Sequence, residues 1–178
     1  MNGMTDTARW IRSDDTHPID SWSRIGRGVS QGMLAGLAGV AFMTAGEKVE
    51  QRLTGRPNSF MPAHTLERLL RRPQLPDSQR VALNVAMHVG QAALLGAWRG
   101  VMAEGGLRGW RASSAFTVIR LSTDQTLENV TGQGAPPWTW PRRELAVDVL
   151  HKTVYAFATG FVADRLATRT PAWIRARS

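Results

Sequence analysis

Two long stretches without a charged residue dominate the hydrophobic pattern of this chain. The first covers residues 29–46 (VSQGMLAGLAGVAFMTAG) and the second covers residues 81–98 (VALNVAMHVGQAALLGAW), and each is 18 residues long. Because a helix rises about 1.5 Å per residue, 18 residues is near the minimum needed to cross a bilayer core of about 30 Å. Each stretch therefore predicts a membrane-spanning helix.

Glycines recur at four-residue intervals in both stretches. Gly28, Gly32 and Gly36 repeat the GxxxG spacing, and Gly96 with Gly100 repeats it again. In water a helical glycine costs about 1 kcal/mol relative to alanine, whereas in a membrane a stripe of small residues lets a second helix approach closely. The spacing favours packed membrane helices over a soluble glycine-rich helix buried against a partner. The first stripe is also a candidate interface for a homo-oligomer.

A third helix is predicted over residues 109–130, although its charge makes it the weakest membrane segment. Its uncharged run covers only residues 112–119, and Arg120, Asp124 and Glu128 follow. A charged residue near the bilayer centre costs about 2.5 to 3.5 kcal/mol on insertion scales. Arg120 and Asp124 are four residues apart and can pair on one face of the helix, so we expect this helix to insert only against helices already present.

A fourth helix is predicted over residues 142–169, again with an internal ion pair. Asp148 and Lys152 lie one turn apart, with the acid before the base, which is the favourable order in a helix. The pattern therefore predicts an all-α fold, a four-helix transmembrane bundle. Its membrane domain covers residues 29–169, between a polar N-terminal segment (1–28) and a basic tail (170–178).

A short helix is also predicted between the first and second spans. The connecting residues 47–80 hold four prolines and many charges, and Pro62 and Pro73 are placed to open and close one helix. Its three leucines share one face while its arginines point elsewhere, which fits a helix lying on lipid headgroups. A solvated surface helix of a soluble protein explains this segment equally well.

The tryptophans favour the membrane interpretation. Tryptophan prefers the membrane–water interface, where its ring is half apolar and its N–H is hydrated. Of the seven tryptophans, six lie near the ends of predicted helices and none lies in the middle of a span. These six are Trp22, Trp98, Trp110, Trp138, Trp140 and Trp173.

Composition restricts the partners without selecting one. The net charge of +8 suits nucleic acid, an anionic membrane surface or an acidic partner, and the mean hydropathy of −0.23 argues against a multi-pass protein. The polar segments at both ends of the chain lower that mean, however, and the residues between them remain apolar enough for a membrane protein. We therefore expect a lipid bilayer as partner and no nucleic acid. Lysine and arginine number 11 on the side of the termini and 9 on the other side, which favours cytoplasmic termini.

The familiar catalytic signatures are missing from the sequence. There is no Walker loop, dinucleotide-binding glycine motif, nucleophile elbow or HExxH pair, and there is no cysteine. We therefore expect no cofactor, and the separated histidines and carboxylates do not predict a metal site. The candidate chemistry consists of ionisable residues in or near the predicted spans. They are Glu47, His88, Arg120, Asp124, Asp148, His151 and Lys152.

These residues allow three functions and one purely structural role. They could form an ion or proton relay, a polar site for a lipid-like ligand, or the acid–base groups of an intramembrane enzyme, with Glu47, Arg120 and Asp148 as catalytic candidates. Alternatively, they pair across the bundle and fix the helix register. Convergence of the three candidates on one cavity open to the bilayer would favour an enzyme, and a continuous polar path would favour transport. If they only paired with each other in a closed bundle, neither function would be supported.

Short motifs along residues 30–165 resemble the YagU-type family of small, uncharacterised bacterial inner-membrane proteins. They are MTAGEK at residues 43–48, RPNSFMP at 56–62, His88 followed by Glu104, PPWTWP at 136–141 and HKTVY at 151–155. The resemblance implies a multi-pass protein of the bacterial inner membrane with no assigned reaction. The unusually charged third helix departs from that pattern.

The first functional hypothesis is thus a multi-pass membrane protein acting as a small transport or stress-related factor. The second is an intramembrane acid–base enzyme for a lipid-like or isoprenoid substrate. The third is a soluble, basic helical binding protein, which would stay in the supernatant after lysis and high-speed centrifugation.

Overall fold

The computed structural model describes residues 18–73 and 75–168. This part of the chain contains five α-helices and no strand, so the all-α prediction is confirmed. Trp10, Trp173, the predicted tail at 170–178 and most of the polar N-terminal segment lie outside the described residues. The helices are α1 (Pro18–Thr54), α2 (Met61–Leu69), α3 (Val81–Glu104), α4 (Gly109–Val130) and α5 (Arg142–Thr168).

Helix α1 is longer than the apolar run that predicts it. It begins at Pro18, inside the N-terminal segment (1–28) predicted as polar and flexible, and its 37 residues give it a length of about 55 Å. The uncharged run marks only the part suited to a bilayer core of about 30 Å, whereas the helical backbone continues into the polar residues on both sides. Helix α1 ends before Gly55, whose φ of 71° is the left-handed conformation common after a helix C-terminus.

Helix α2 is shorter than the segment between the two prolines that predict it. It ends at Leu69 because Arg71 adopts a left-handed φ of 53° and the Arg72 amide donates to the Glu67 carbonyl oxygen at 2.8 Å. That bond pattern closes the helix before Pro73. Leu69 and Leu70 are exposed.

The tightest contact in the fold is the crossing of α1 and α3. The two predicted glycine stripes face each other with the helices antiparallel, because a Cβ added to Gly96 would lie 2.6 Å from Gly36 Cα and one added to Gly100 would lie 2.6 Å from Gly32 Cα. Only glycine permits this backbone approach. The stripe predicted as an oligomer interface thus packs against α3 of the same chain, and self-association stays a prediction.

Helix α5 packs against α1, and α4 packs against α5. A Cβ on Gly39 of α1 would lie 3.0 Å from the Tyr155 carbonyl oxygen of α5, and the rings of Phe116 and Tyr155 join α4 to α5 with centroids 5.9 Å apart. Successive long helices are antiparallel, so α1 and α4 end at the same end of the bundle at which α3 and α5 begin. We call that end the cavity end, after the cavity described below, and the opposite end of the bundle the far end.

The bundle carries apolar side chains outside and charged side chains inside. Leu34, Phe42 and Leu94 are 62%, 63% and 74% exposed, whereas Arg99 is fully buried and Arg120 is 3% exposed. Exposed apolar side chains together with buried charges fit a lipid surrounding, and the core also buries apolar residues such as Met43, Phe116 and Tyr155. Three helices are long and apolar enough to cross a membrane, at Trp22–Thr54, Val81–Glu104 and Arg142–Ala167.

Helix α4 is not among those three, because it contains Arg120, Asp124 and Glu128. The first two are buried in the bundle and the third is half-buried. Its outward face carries no charge from residue 112 onward, since the exposed positions there hold small, apolar or uncharged polar side chains. These positions are Ala115, Val118, Ser122, Thr126, Asn129 and Val130.

We predict that Gly96→Ala lowers the midpoint of thermal unfolding of the detergent-purified protein, with a cost of about 1 to 3 kcal/mol. The new Cβ would meet backbone atoms of α1 that cannot move aside cheaply. Gly90→Ala on the same helix is the control, because nothing lies within 4 Å of its Cβ. That variant should be unchanged or up to about 1 kcal/mol more stable. Equal midpoints for the two variants would contradict the α1–α3 packing.

Candidate functional site

A cavity of about 530 Å³ lies between the long helices at the cavity end. Helices α1, α3, α4 and α5 form its walls, and residues of α2 and of the 131–141 segment lie over it. All seven ionisable residues that the sequence singles out line this one space, which we call the polar cavity. They are Glu47, His88, Arg120, Asp124, Asp148, His151 and Lys152.

Helix geometry explains why these residues meet. Arg120 and Asp124 are four residues apart on α4, and Asp148 and Lys152 are four apart on α5, so each pair occupies one helix face. The antiparallel packing of α4 and α5 then brings the two charged faces together. Asp124 of α4 therefore lies beside Lys152 of α5.

Asp124 connects three helices. Its Oδ1 lies 3.2 Å from Arg120 Nη1 and accepts a hydrogen bond from Gln91 Nε2 of α3, and its Oδ2 lies 3.2 Å from Lys152 Nζ. Lys152 Nζ also donates to Asp148 Oδ2 at 2.8 Å. Two carboxylates and two cations thus form a quartet that is neutral as a group, which lowers the cost of placing each charge in the bundle.

An aromatic layer closes the polar cavity on its inner side. The guanidinium of Arg120 lies 5.0 Å from the centroid of the Tyr155 ring, and the Tyr155 hydroxyl donates to the Ala92 carbonyl oxygen at 2.8 Å. Tyr155, Phe116 and Ala156 are fully buried at this level. Among the described residues, none from the far end, such as Arg99 or Asp164, lines the polar cavity, so in this part of the chain the cavity ends within the bundle.

A second buried ion pair lies beyond this layer, and sequence reasoning missed it. Arg99 Nη2 of α3 donates to Asp164 Oδ1 of α5 at 2.8 Å, and Asp164 Oδ2 accepts from the Gly109 amide at the start of α4 at 2.8 Å. One signal was present: Arg99 follows Gly96 by three residues and precedes Gly100, which places it on the glycine face of α3. The pair ties α3, α4 and α5 together at the far end.

A third ion pair, also missed, fastens α2 above the polar cavity. Arg80 Nε donates to Glu67 Oε1 at 3.1 Å, and Arg80 Nη1 also contacts Asp77 and His64. Burial raises the pKa of Glu67, but the hydrogen bonds from Arg80 and from the Leu75 amide lower it by more than burial raises it. The pKa of Glu67 therefore lies below its usual value of 4.5. Glu67 is therefore ionised at neutral pH.

Comparison of the chain with protein-family models, with curated proteins and with solved structures finds no match. The resemblance to the YagU-type family stays a prediction. Four of the segments that carry it border the polar cavity, through Met43 and Glu47, Arg56 to Pro62, Thr139 to Pro141, and His151 with Lys152.

The site offers acid–base and ion-pairing chemistry. Carboxylates and imidazoles face the same space, so groups able to donate and accept protons surround a volume large enough for a small ligand. Within residues 18–73 and 75–168, no three histidine, aspartate or glutamate side chains are placed to hold a metal ion.

We predict that Asp124→Asn destabilises the protein strongly, by about 3 to 5 kcal/mol, because it leaves Arg120 without its carboxylate inside the bundle. Asp148→Asn is the matched control, because the Asp148 carboxylate is more exposed than that of Asp124. When the Asp148 charge is removed, Lys152 still pairs with Asp124. Thermal unfolding in one detergent compares the two. If Asp148→Asn costs as much as Asp124→Asn, Asp124 does not hold the quartet together.

A pH dependence follows from Glu67. Because its pKa is lower in the folded than in the unfolded chain, the stabilisation is fully present above pH 4.5 and is lost as the pH falls through the folded pKa. At neutral pH we expect Glu67→Gln to be less stable than the wild type. The difference in unfolding midpoint between the two proteins should shrink below pH 4.5, and a constant difference would contradict the ionised pair.

Proposed function

We propose that this chain is a multi-pass membrane protein that binds an amphipathic ligand in the polar cavity. In this proposal α1, α3, α4 and α5 form a four-helix transmembrane bundle, and α2 lies at the headgroups of the cavity end. The observation that carries the proposal is the convergence of seven ionisable residues from four helices on one cavity inside an apolar exterior.

The tryptophans support the membrane placement. Trp22, Trp98 and Trp110 lie exposed near the far end, and Trp138 lies exposed at the cavity end. Side chains of this kind at both ends of an apolar bundle match the two interfacial belts of a membrane protein.

Helix α4 enters the membrane in this proposal because its charges face the other helices. Two of the three helices that are long and apolar enough to cross a membrane provide partners for Asp124, namely Gln91 of α3 and Lys152 of α5. The exposed positions of α4 from residue 112 onward hold no charge. The insertion cost of Arg120 and Asp124 is then met by pairing rather than by water.

Convergence on a cavity also bears on the type of activity. Glu47, Arg120 and Asp148 line a common space that ends at the aromatic layer, which favours a binding site over an open conduction path. The second candidate function is an intramembrane acid–base enzyme for a lipid-like or isoprenoid substrate. The observation that favours it is the presence of His88, His151 and carboxylates around the same volume.

Orientation and location stay predictions. We expect the bacterial inner membrane, from the family resemblance, and cytoplasmic termini, from the distribution of lysine and arginine. Helix α1 begins and α5 ends at the far end of the bundle. With the termini in the cytoplasm, the polar cavity would therefore open on the opposite side of the membrane.

We predict that a cysteine at Val147 reacts with a membrane-impermeant thiol reagent from one side of sealed vesicles only. Val147 lines the polar cavity, and the natural chain has no cysteine that could interfere. Val149→Cys is the matched control on the same helix, because its exposed side chain points outward and away from the polar cavity. It should stay unreactive in lipid.

A soluble protein would give the opposite result, since the exposed Val149→Cys would then react at least as fast as Val147→Cys. Reaction at Val147→Cys from both sides would overturn the closed inner layer. Recovery of the protein in the supernatant after high-speed centrifugation would overturn the membrane placement itself.

A further inference from the structure

The polar cavity has more acidic than basic side chains, although the chain as a whole is basic. Five carboxyl residues line it, against Arg56, Arg120 and Lys152. The formal net charge of the chain is +8, so the acidic excess does not follow from overall composition. It is a property of the cavity wall.

The basic groups of the wall already have carboxylate partners. Lys152 lies between Asp124 and Asp148, and Arg120 lies against Asp124. Arg56 Nε contacts Glu50 Oε2 at 3.0 Å. Each cation of the wall is thus already compensated.

Three carboxyl groups of the wall form no ion pair within the described part of the chain. Glu47 and Glu128 are partly buried, whereas Glu144 is exposed. Glu47 accepts a hydrogen bond from Gln51 Nε2 at 2.9 Å, which is an uncharged donor. Glu128 Oε2 is buried and has no hydrogen-bond partner among the described residues. An unpaired carboxyl group in a bundle is costly to ionise, so a positive charge placed beside Glu47 and Glu128 would stabilise their ionised forms and be stabilised by them.

The remaining wall is apolar and includes an aromatic ring. Met87, Leu127 and Val147 line the polar cavity, and so does Trp140. The indole N–H of Trp140 donates to the Ala135 carbonyl oxygen at 2.8 Å, which orients the ring. A cation held against an indole face gains further stabilisation. The wall therefore offers an apolar surface together with carboxyl groups that have no cation beside them.

We propose that the ligand of the polar cavity is a lipophilic organic cation, such as an amine or quaternary ammonium with an apolar body. This inference rests on the proposed function and adds the charge class of the ligand. The positive centre lies between Glu47 and Glu128, and the apolar body lies along the methionine and aliphatic side chains.

The test uses two ions of the same shape and opposite charge. Binding of radiolabelled tetraphenylphosphonium and of tetraphenylborate to the full-length, detergent-purified protein is measured by equilibrium dialysis, with protein-free micelles subtracted. We expect saturable binding of the phosphonium cation and none of the borate anion. Val147→Trp, which fills part of the polar cavity, should abolish that binding.

Glu47→Gln and Glu128→Gln should each weaken binding of the cation about tenfold or more, since each removes a carboxyl group that can ionise to pair with it. Glu104→Gln, at the far end of α3 and outside the cavity wall, is the control and should bind like the wild type. Thermal midpoints of all variants show that the fold is retained.

The outcomes separate the two proposals. Borate binding that Val147→Trp removes would leave the cavity as a binding site but overturn the cationic class. Phosphonium binding that is unchanged in both glutamine variants would also overturn it. Absence of binding by both ions at the cavity would overturn the cationic class and the proposed ligand site together.

Discussion

The contact on which the structure depends most is the one between Asp124 and its two cations. Without it, α4 would bring Arg120 into an apolar bundle uncompensated, and α5 would rely on Asp148 alone to neutralise Lys152. With it, the charges of α4 are paired inside the bundle, and the exposed positions of α4 from residue 112 onward are uncharged, although α4 is too polar to count among the three candidate spans. The same quartet forms the inner wall of the polar cavity, so stability and candidate function share one set of side chains.

The close crossing of α1 and α3 determines where space remains. Glycines bring these two backbones together toward the far end, and the Arg99–Asp164 pair closes that end around α4 and α5. Toward the cavity end the glycine stripe stops, and larger or polar side chains such as Glu47 and His88 occupy the facing positions. The polar cavity is thus the part of the bundle that close backbone packing does not fill.

Much of this could be predicted from the sequence because the signals are local. The 18-residue uncharged runs identify α1 and α3, and the four-residue spacings of Arg120 with Asp124 and of Asp148 with Lys152 identify the inner faces of α4 and α5. The sequence could not show that these two faces meet in one cavity, because that depends on the antiparallel packing of α4 against α5.

The features that sequence reasoning missed are long-range or lie outside the apolar pattern. Arg99 and Asp164 are 65 residues apart, and no periodicity connects them. Glu67 and Arg80 belong to the polar segment between α1 and α3, where the amphipathic pattern predicted a helix but gave no sign of which charges pair. The start of α1 at Pro18 was missed because hydrophobicity marks the membrane part of a helix and not its full length.

The central claim is that α4 turns its charges into the bundle and its outward face toward lipid. It is tested most directly by attaching nitroxide labels to α4 and measuring how often they collide with oxygen and with a water-soluble nickel chelate. Labels at the outward positions Ala115, Val118 and Ser122 in lipid vesicles should collide often with oxygen and rarely with nickel, because oxygen concentrates in lipid. A label at the inward position Thr117 should collide rarely with both. Frequent nickel collisions at the outward positions would show that α4 faces water, and would contradict a bundle whose charges are turned inward to suit a membrane.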